Sequence, residues 1–269
     1  MLKEQSRPKP DGLEPTLLLI IVPTLDSYRL LPRLLDSLRR QTFTGWSVLF
    51  IDGPSGPEHR DVLDQLCHQD ARFRWQPQDP AGPGIFAAMN QGFAAAAPHD
   101  WLLFWGSDDW APALDVLERA MAAIEDLTAQ AAPPDLLVCR GRYVKGSRPG
   151  RATAFRWRGT YRRSLFLGST PPHQATLIGP GARSRLSRYA PGFRLSADLD
   201  YFLQLCRDPQ LRVQTLDLEL VHMALGGVSG VQHRRRLQEV RRAYQRAFGC
   251  CWPFPYLLRY AQRFLSALA

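Results

Sequence analysis

From residue 16 to about residue 140, short apolar runs alternate with segments whose apolar residues recur at helical spacing. Leu17 to Val22 reads as a first strand. Leu30, Leu31, Leu34, Leu35 and Leu38 then mark a helix, with Pro32 tolerated in its first turn. "WSVLFID" (46–52) is a second strand, Val62, Leu63 and Leu66 a second helix, and "RFRWQ" (72–76) a third strand. The alanine-rich "GIFAAMNQGFAAAA" (84–97) predicts a close-packed helix, and "WLLFW" (101–105) a fourth strand. Leu114, Leu117, Met121 and Ile124 predict a helix starting near Pro112, before "DLLVC" (135–139). Strands this apolar, alternating with helices, predict an α/β fold with a mostly parallel sheet covered on both faces.

In such a sheet, ligands bind outside the carboxyl ends of the strands. Three strands end there in polar, chain-reversing text: "PTLD" (23–26), "DGPSG" (52–56) and "GSDD" (106–109). Together they predict a nucleotide crevice; the alternative is that Asp and Gly only cap and turn. No GxGxxG follows the first strand and no Walker A sequence occurs, which excludes the usual dinucleotide site and the P-loop. Beyond residue 140 the pattern loosens. "GRYVKGSRPGRATAFRWRGTYRR" (141–163) is arginine-rich, "PPHQATLIG" (171–179) carries a strand, and "SADLDYFLQLC" (196–206) starts a helix with Ser196 as its N-cap.

Composition narrows the partners. With 45% hydrophobic and 22% charged residues, the 269-residue chain can bury a sizeable core. Its net charge of +9 points to an anionic partner: a phosphorylated substrate, an anionic membrane face or nucleic acid. Charge alone supports the last, since no helix-turn-helix, finger or RNP motif is present, and no nucleic-acid partner is expected. Five scattered cysteines, without CxxC or zinc spacing, fit a reducing, cytoplasmic compartment. Residues 1–15 read as a disordered lead-in without the apolar stretch of a signal peptide. The 17–22 run is far too short to span a bilayer.

Taken together, these motifs resemble the family 2 glycosyltransferases, which have the GT-A fold, and above all their bacterial exopolysaccharide and lipopolysaccharide branch. Residues 20–56 look like that family's opening strand, helix and second strand. "GIFAAMNQGF" is similar to its GIYDAMNKG segment, "LLFWGSDDW" to its metal-binding loop, and "PPHQATLI" with "LSADLDYFLQL" to its acceptor-side elements. "LGGVS" (225–229) matches a segment near the end of its catalytic domain.

The resemblance implies an inverting transferase that takes a sugar from a nucleotide-diphosphate donor, a UDP-sugar, to a glycan or lipid-linked acceptor. Asp52 would hydrogen-bond the base, with Pro23, Thr24 and Asp26 lining the same pocket. Gly53, Asn90, Ser107 and His173 join the donor-binding positions. Asp108 and Asp109 would hold Mn²⁺ or Mg²⁺ against the diphosphate, and Asp198 would be the general base. Hard carboxylate oxygens suit such a cation, and phosphates and water complete its shell. Asp109 could also cap the following helix, serving both purposes. Asp198 and Asp200 cannot both face the cleft, because residues two apart on a helix point to different sides. The chain departs from the family pattern at Ala87, Gly106 and Ala197, where carboxylates are common. These departures motivate the alternative of a catalytically silent nucleotide-sugar-binding module.

The expected domain spans residues 16–230, with a nucleotide-sugar half (16–140) and an acceptor half (141–230). In the tail, residues 231–269, Leu237, Val240, Tyr244 and Phe248 share one helical face amid arginines, and Gly249 ends the helix. An aromatic cluster follows. The tail reads either as a dock for an anionic membrane surface, placing the enzyme on the inner face of the cell membrane, or as a helical pair packed on the domain.

Overall fold

Strand β1 (Leu18–Thr24) sends alternate side chains into two separate cores. Leu18, Ile20 and Val22 enter one; Leu19 and Ile21 enter the other. That period of two, with both faces apolar, is the mark of a strand covered on both sides. The computed structural model describes residues 18–145, 148–152, 161–168, 170–224 and 232–268. The lead-in, residues 1–15, and "LGGVS" lie outside the described residues, as does part of the arginine-rich stretch.

The first half follows the predicted order: α1 (Leu31–Arg39), β2 (Trp46–Asp52), α2 (Pro57–Gln69), β3 (Phe73–Pro77), α3 (Ile85–Ala95) and β4 (Trp101–Phe104). Helix α4 (Val116–Gln130), β5 (Leu136–Lys145) and β6 (Arg148–Ala152) come next. Then follow α5 (Tyr161–Phe166), β7 (Thr176–Ile178), α6 (Pro180–Arg185), α7 (Ala197–Leu205), β8 (Val213–Ala224), α8 (His233–Phe248) and α9 (Pro253–Leu268). Pro32 sits in the first turn of α1, where a missing N–H costs nothing. Leu31, Leu34 and Leu38 have no exposed surface, and burying each leucine contributes about 1.5–3 kcal/mol.

One eight-stranded sheet results, in the order β3-β2-β1-β4-β7-β5-β6, with β8 paired to β5. Strands β3, β2, β1 and β4 are mutually parallel. Short β7 runs against both β4 and β5, so β5 and its parallel partner β8 share the direction of β1. The sheet is thus mostly parallel, as predicted, with β6 and β7 reversed. Helices α1, α2 and α4 cover one face, and α3, α6, α7 and α8 the other.

Three local expectations are corrected. Helix α4 starts at Val116, leaving Pro112 and the 48% exposed Leu114 in the preceding turn. Strand β8 was not foreseen. The tail helix α8 packs on α7 through buried Val240, Ala243 and Tyr244, whereas Leu237, expected on the same face, is 44% exposed. Among the described residues, no helix is long and apolar enough to cross a membrane.

Candidate active site

The Asp108–Asp109 loop leaves β4 at the carboxyl edge and is pinned from three directions. Ser27 Oγ donates to Ser107 Oγ at 2.9 Å, and Ser107 Oγ donates to the Pro23 carbonyl at 3.3 Å, tying the loop to the end of β1. Trp105 Nε1 donates to the Gln174 carbonyl at 2.9 Å, tying it to the segment before β7. Trp110 and His222 exchange both main-chain hydrogen bonds, tying it to β8. The Arg33 guanidinium covers the Trp110 ring at 3.3 Å. A loop held this way keeps its carboxylates in place without help from a ligand.

Within the loop, Asp109 is 3% exposed and its Oδ2 accepts the Gly106 N–H at 2.6 Å. Burial pushes its pKa up to about 8; the Gly106 N–H opposes this and the charge of Asp108 adds to it. Asp109 does not cap α4, which begins seven residues later at Val116. Asp108 is half-buried. A β-carbon on Gly106 would lie 2.8 Å from Asp108 Oδ1 and 3.3 Å from Asp109 Oδ2. The two carboxylates therefore converge on the space that a side chain at 106 would fill. This is a physical reason for glycine where the family pattern often has a carboxylate. Carboxylate oxygens are the hard donors that suit Mn²⁺ or Mg²⁺ completed by phosphate and water, and the half-buried Asp108 is the more accessible of the two, since Asp109 Oδ2 already accepts the Gly106 N–H. Among the described residues, no group of three or more His, Cys, Asp or Glu is placed to hold a metal by itself.

At the ends of β1 and β2, the structure revises the role expected of Asp52. Its side chain has no exposed surface. Thr24 Oγ1 and Ser55 Oγ donate to its Oδ1 at 3.0 and 2.6 Å. His59 Nε2 lies 3.1 Å from the same oxygen, and Arg60 Nε 3.4 Å from Oδ2. Asp52 thus ties the ends of β1 and β2 together, and its carboxylate is covered by protein partners in this structure. Asp26 does similar work at the rim. It sits in the left-handed region at φ 46°, its Oδ1 accepts the Gly56 N–H at 2.8 Å, and its own N–H donates to Ser55 Oγ at 2.9 Å. Open surface here belongs to Asp26 and to Leu25, which is 60% exposed, was missed by the sequence reading and flanks Gly53. Pro23 is half-buried beside it.

On the other side of the edge, Asn90 turns out to be a clip. Its Oδ1 accepts the Tyr189 N–H at 2.7 Å and its Nδ2 donates to the Tyr189 carbonyl at 3.1 Å, so both polar ends are taken. His173 is 8% exposed, stacks on Phe104 with centroids 5.3 Å apart, and bonds Tyr189 Oη through Nε2 at 2.6 Å. Asp198, in the first turn of α7, is half-buried and close enough that its charge acts on both His173 and Tyr189. Asp200 is 1% exposed and pairs with Arg246 of α8 at 2.9 Å. Burial raises its pKa, and Arg246 works against that. Ser196 occupies the N-cap position without a capping side-chain bond. The carboxylate of Glu239 on α8 holds the chain entering the helix, accepting the N–H groups of Arg194, Leu195 and the N-cap Ser196. His222 lies beside the loop through Trp110, and its Nε2 bonds Glu219 at 2.6 Å.

A mostly parallel α/β sheet with a carboxylate pair in the loop after β4, and helices on both faces, has the architecture of the GT-A class. The model of glycosyl transferase family 2 matches residues 19–180, and the chain belongs to that family of glycosyltransferases. It is 30% identical over 213 residues to the PGL/p-HBAD biosynthesis glycosyltransferase of Mycobacterium bovis (strain BCG / Pasteur 1173P2), covering 78% of each chain. Among solved structures it is similar to S. aureus TarS 1-349 in complex with UDP-GlcNAc. The TM-score is 0.66 at 16% identity, over 86% of this chain and 67% of that one. It spans 40% of a longer TarS chain. It is also similar to the mannosyltransferase PcManGT from Pyrobaculum calidifontis in complex with GDP-Man and Mn²⁺. That TM-score is 0.64 at 16% identity, over 95% and 73% of the two chains.

Proposed function

We propose that this glycosyltransferase moves a sugar from a nucleotide-diphosphate donor, a UDP-sugar, to a glycan or lipid-linked acceptor by one displacement that inverts the anomeric carbon. The observation that carries the reading is the convergence of the Asp108 and Asp109 oxygens beside Gly106, in a loop held by β1, β8 and the segment before β7. These two residues would hold Mn²⁺ or Mg²⁺, which when bound offsets the charge that grows on the leaving diphosphate. The solved relatives support the donor class, one described with UDP-GlcNAc and one with GDP-Man and Mn²⁺. Pro23, Gly53 and the exposed Leu25 line the base side, with Thr24, Asp26, Asp52 and Ser107 bracing it.

Asp198 is the general base that takes the acceptor's hydroxyl proton. The burial of Asp200 and its pairing with Arg246 support this choice, because they leave Asp198 as the more accessible carboxylate of the first turn. A positioned base contributes about 100- to 10,000-fold. The acceptor side includes His173. We further propose that α9 rests on the anionic inner face of the cell membrane, through Phe254 and Leu257, which are 56% and 65% exposed.

The test is a calorimetric screen of nucleotide diphosphates and nucleotide sugars, with Mn²⁺ and with chelator, alongside slow donor hydrolysis. Metal-strengthened binding and donor hydrolysis are expected. Equal affinity with metal and with chelator would remove the assigned loop from the reaction.

A further inference from the structure

Tyr189 has no exposed surface, and its phenolic oxygen lies 2.6 Å from His173 Nε2. Among the described residues, no other group lies within hydrogen-bonding distance of that oxygen. The contact has one hydrogen to place, and burial decides which group supplies it. If Nε2 donated, the phenol's own hydrogen would be left without an acceptor in a closed interior, a costly arrangement. The phenol therefore donates and Nε2 accepts. Burial also holds the imidazole pKa below its ordinary value, with the charge of Asp198 opposing it. Burial, then Tyr201 and Asp198, hold the phenol well above its own, so both groups are neutral near pH 7. A neutral imidazole carries one hydrogen, and here it is left to Nδ1.

The surroundings keep the ring from escaping this assignment. Phe104 stacks on it with planes 18° apart, and Phe202 lies edge-on at 6.3 Å. Asn90 grips both main-chain groups of Tyr189 from α3, which fixes the phenol's position. Among the described residues, Nδ1 has no protein partner within hydrogen-bonding distance, yet it is not one of the fully buried unpartnered atoms. That nitrogen keeps some exposed surface, and the charge of Asp198 acts on the ring that carries it.

We infer that Tyr189 and Asn90 are positioning residues that lock His173 as its Nδ1–H tautomer, so that the ring presents one fixed N–H donor to a substrate oxygen beside Asp198. A donor whose hydrogen is already assigned needs no reorganisation when charge or a lone pair arrives. The oxygen is a diphosphate oxygen or the acceptor hydroxyl. The identity of those substrates rests on the function proposed above; the tautomer does not.

The tautomer is read directly by long-range ¹H–¹⁵N correlation on the full chain with labelled histidine, the His173 signals being assigned by their loss in His173→Asn. Protonated-type Nδ1 and bare-type Nε2 signals are expected in the wild type, and the reverse would overturn the inference. That spectrum needs no change at Tyr189, so it decides even where Tyr189→Phe folds poorly. In folded Tyr189→Phe, the Nε2–H form should appear and kcat/KM should fall about tenfold, the scale of one hydrogen bond. UDP binding with Mn²⁺ then separates the two oxygens. A matching loss of UDP affinity assigns the N–H to the diphosphate, and unchanged affinity with a lower kcat assigns it to the acceptor. Unchanged transfer and unchanged UDP affinity, despite a changed tautomer, would leave His173 without the role claimed. Failure of the wild type to bind UDP would instead count against the proposed donor.

Discussion

The Glu239 carboxylate accepts the Ser196 N–H at 3.0 Å, so a residue of the C-terminal helix α8 holds the chain entering the helix that carries Asp198. The same carboxylate takes the N–H groups of Arg194 and Leu195 and the guanidinium of Arg235. Anions at a helix N-terminus satisfy its free N–H groups and complement its dipole, and here the anion comes from 43 residues downstream.

Replacing Glu239 with Ala strands these donors, two of them beside buried Ser196. The expected loss is about 2–3 kcal/mol of stability, measured by urea unfolding. Transfer should fall as well, because the turn bearing Asp198 loosens. Full stability in Glu239→Ala would show that water replaces the carboxylate at no cost.

The pair Asp198 and Asp200 separates by chemistry. Asp198→Asn should keep donor binding and cut transfer about 100-fold or more, since only the proton acceptor is lost. Asp200→Asn should leave transfer within a few-fold. Its pH signature is distinct. The folded pKa of Asp200 is raised, so the folded state holds that proton longer than the unfolded state does. Its contribution to stability is full below the ordinary carboxylate range and is lost as pH rises through the folded value. Asp200→Asn should remove that decline from the stability profile. A transfer defect in Asp200→Asn, with none in Asp198→Asn, would reverse the assignment.

Much of this arrangement was written locally in the chain. β1 to β4 and their strand-end loops were legible because apolar runs and turn residues are contiguous there. The reversed direction of β7 was not, since three residues carry no direction signal. β8 hid its alternation, Leu216, Leu218 and Leu220, among charged neighbours. At the site, Asp108, Asp109 and Asp198 stand out as candidates by motif. The partners that Asp52 and Asn90 take up, Thr24, His59 and Tyr189, were not legible, because they are set by folding. Likewise, Asp198 and Asp200 differ through Arg246, 46 residues beyond Asp200.

For the metal loop, Asp108→Ala should abolish the strengthening of nucleotide-diphosphate binding by Mn²⁺ while leaving the metal-free affinity unchanged. Gly106→Ala should have a similar but smaller effect, because its β-carbon would crowd Asp108 Oδ1. Calorimetry with and without metal measures both. A Gly106→Ala enzyme with undiminished metal response would mean that the loop shifts freely and is not pinned as described.

Helix α3 tests the packing beneath the site. A β-carbon on Gly92 would come within 2.5 Å of Ile21 Cδ1 and 2.6 Å of its Cγ2, in the middle of β1. Gly92→Ala should therefore cost about 1–3 kcal/mol, as overpacked cores do, despite the better helix propensity of alanine. Ile21→Val in the same chain should restore part of the loss. Neutral or stabilised Gly92→Ala, seen as an unchanged or raised melting temperature, would contradict the close approach of α3 to the sheet.

The proposed membrane face has to be weighed against what α8 does inside the fold. Arg235 bonds Glu239, Arg242 Nη1 donates to the Gly192 carbonyl at 3.1 Å, Arg246 pairs with Asp200, and Arg241 covers the Trp252 ring at 5.0 Å. With Arg259, which donates to Thr170 Oγ1 at 3.0 Å, five of the tail's arginines thus have partners in the protein, while Phe254 and Leu257 of α9 stand out in solvent. Any docking should then depend more on apolar insertion than on charge. Phe254→Ser with Leu257→Ser should weaken sedimentation with anionic vesicles about tenfold or more, since each buried apolar side chain is worth about 1.5–3 kcal/mol. Salt should weaken it less, because basic residues near such a surface contribute only about 1 kcal/mol each. Deleting residues 232–269 is the wrong experiment for this purpose, because it removes the Glu239 contacts and the Arg246 pair, and the shortened chain should unfold or aggregate. A double serine variant that stays folded and still binds vesicles as the wild type does would take the membrane role away from α9.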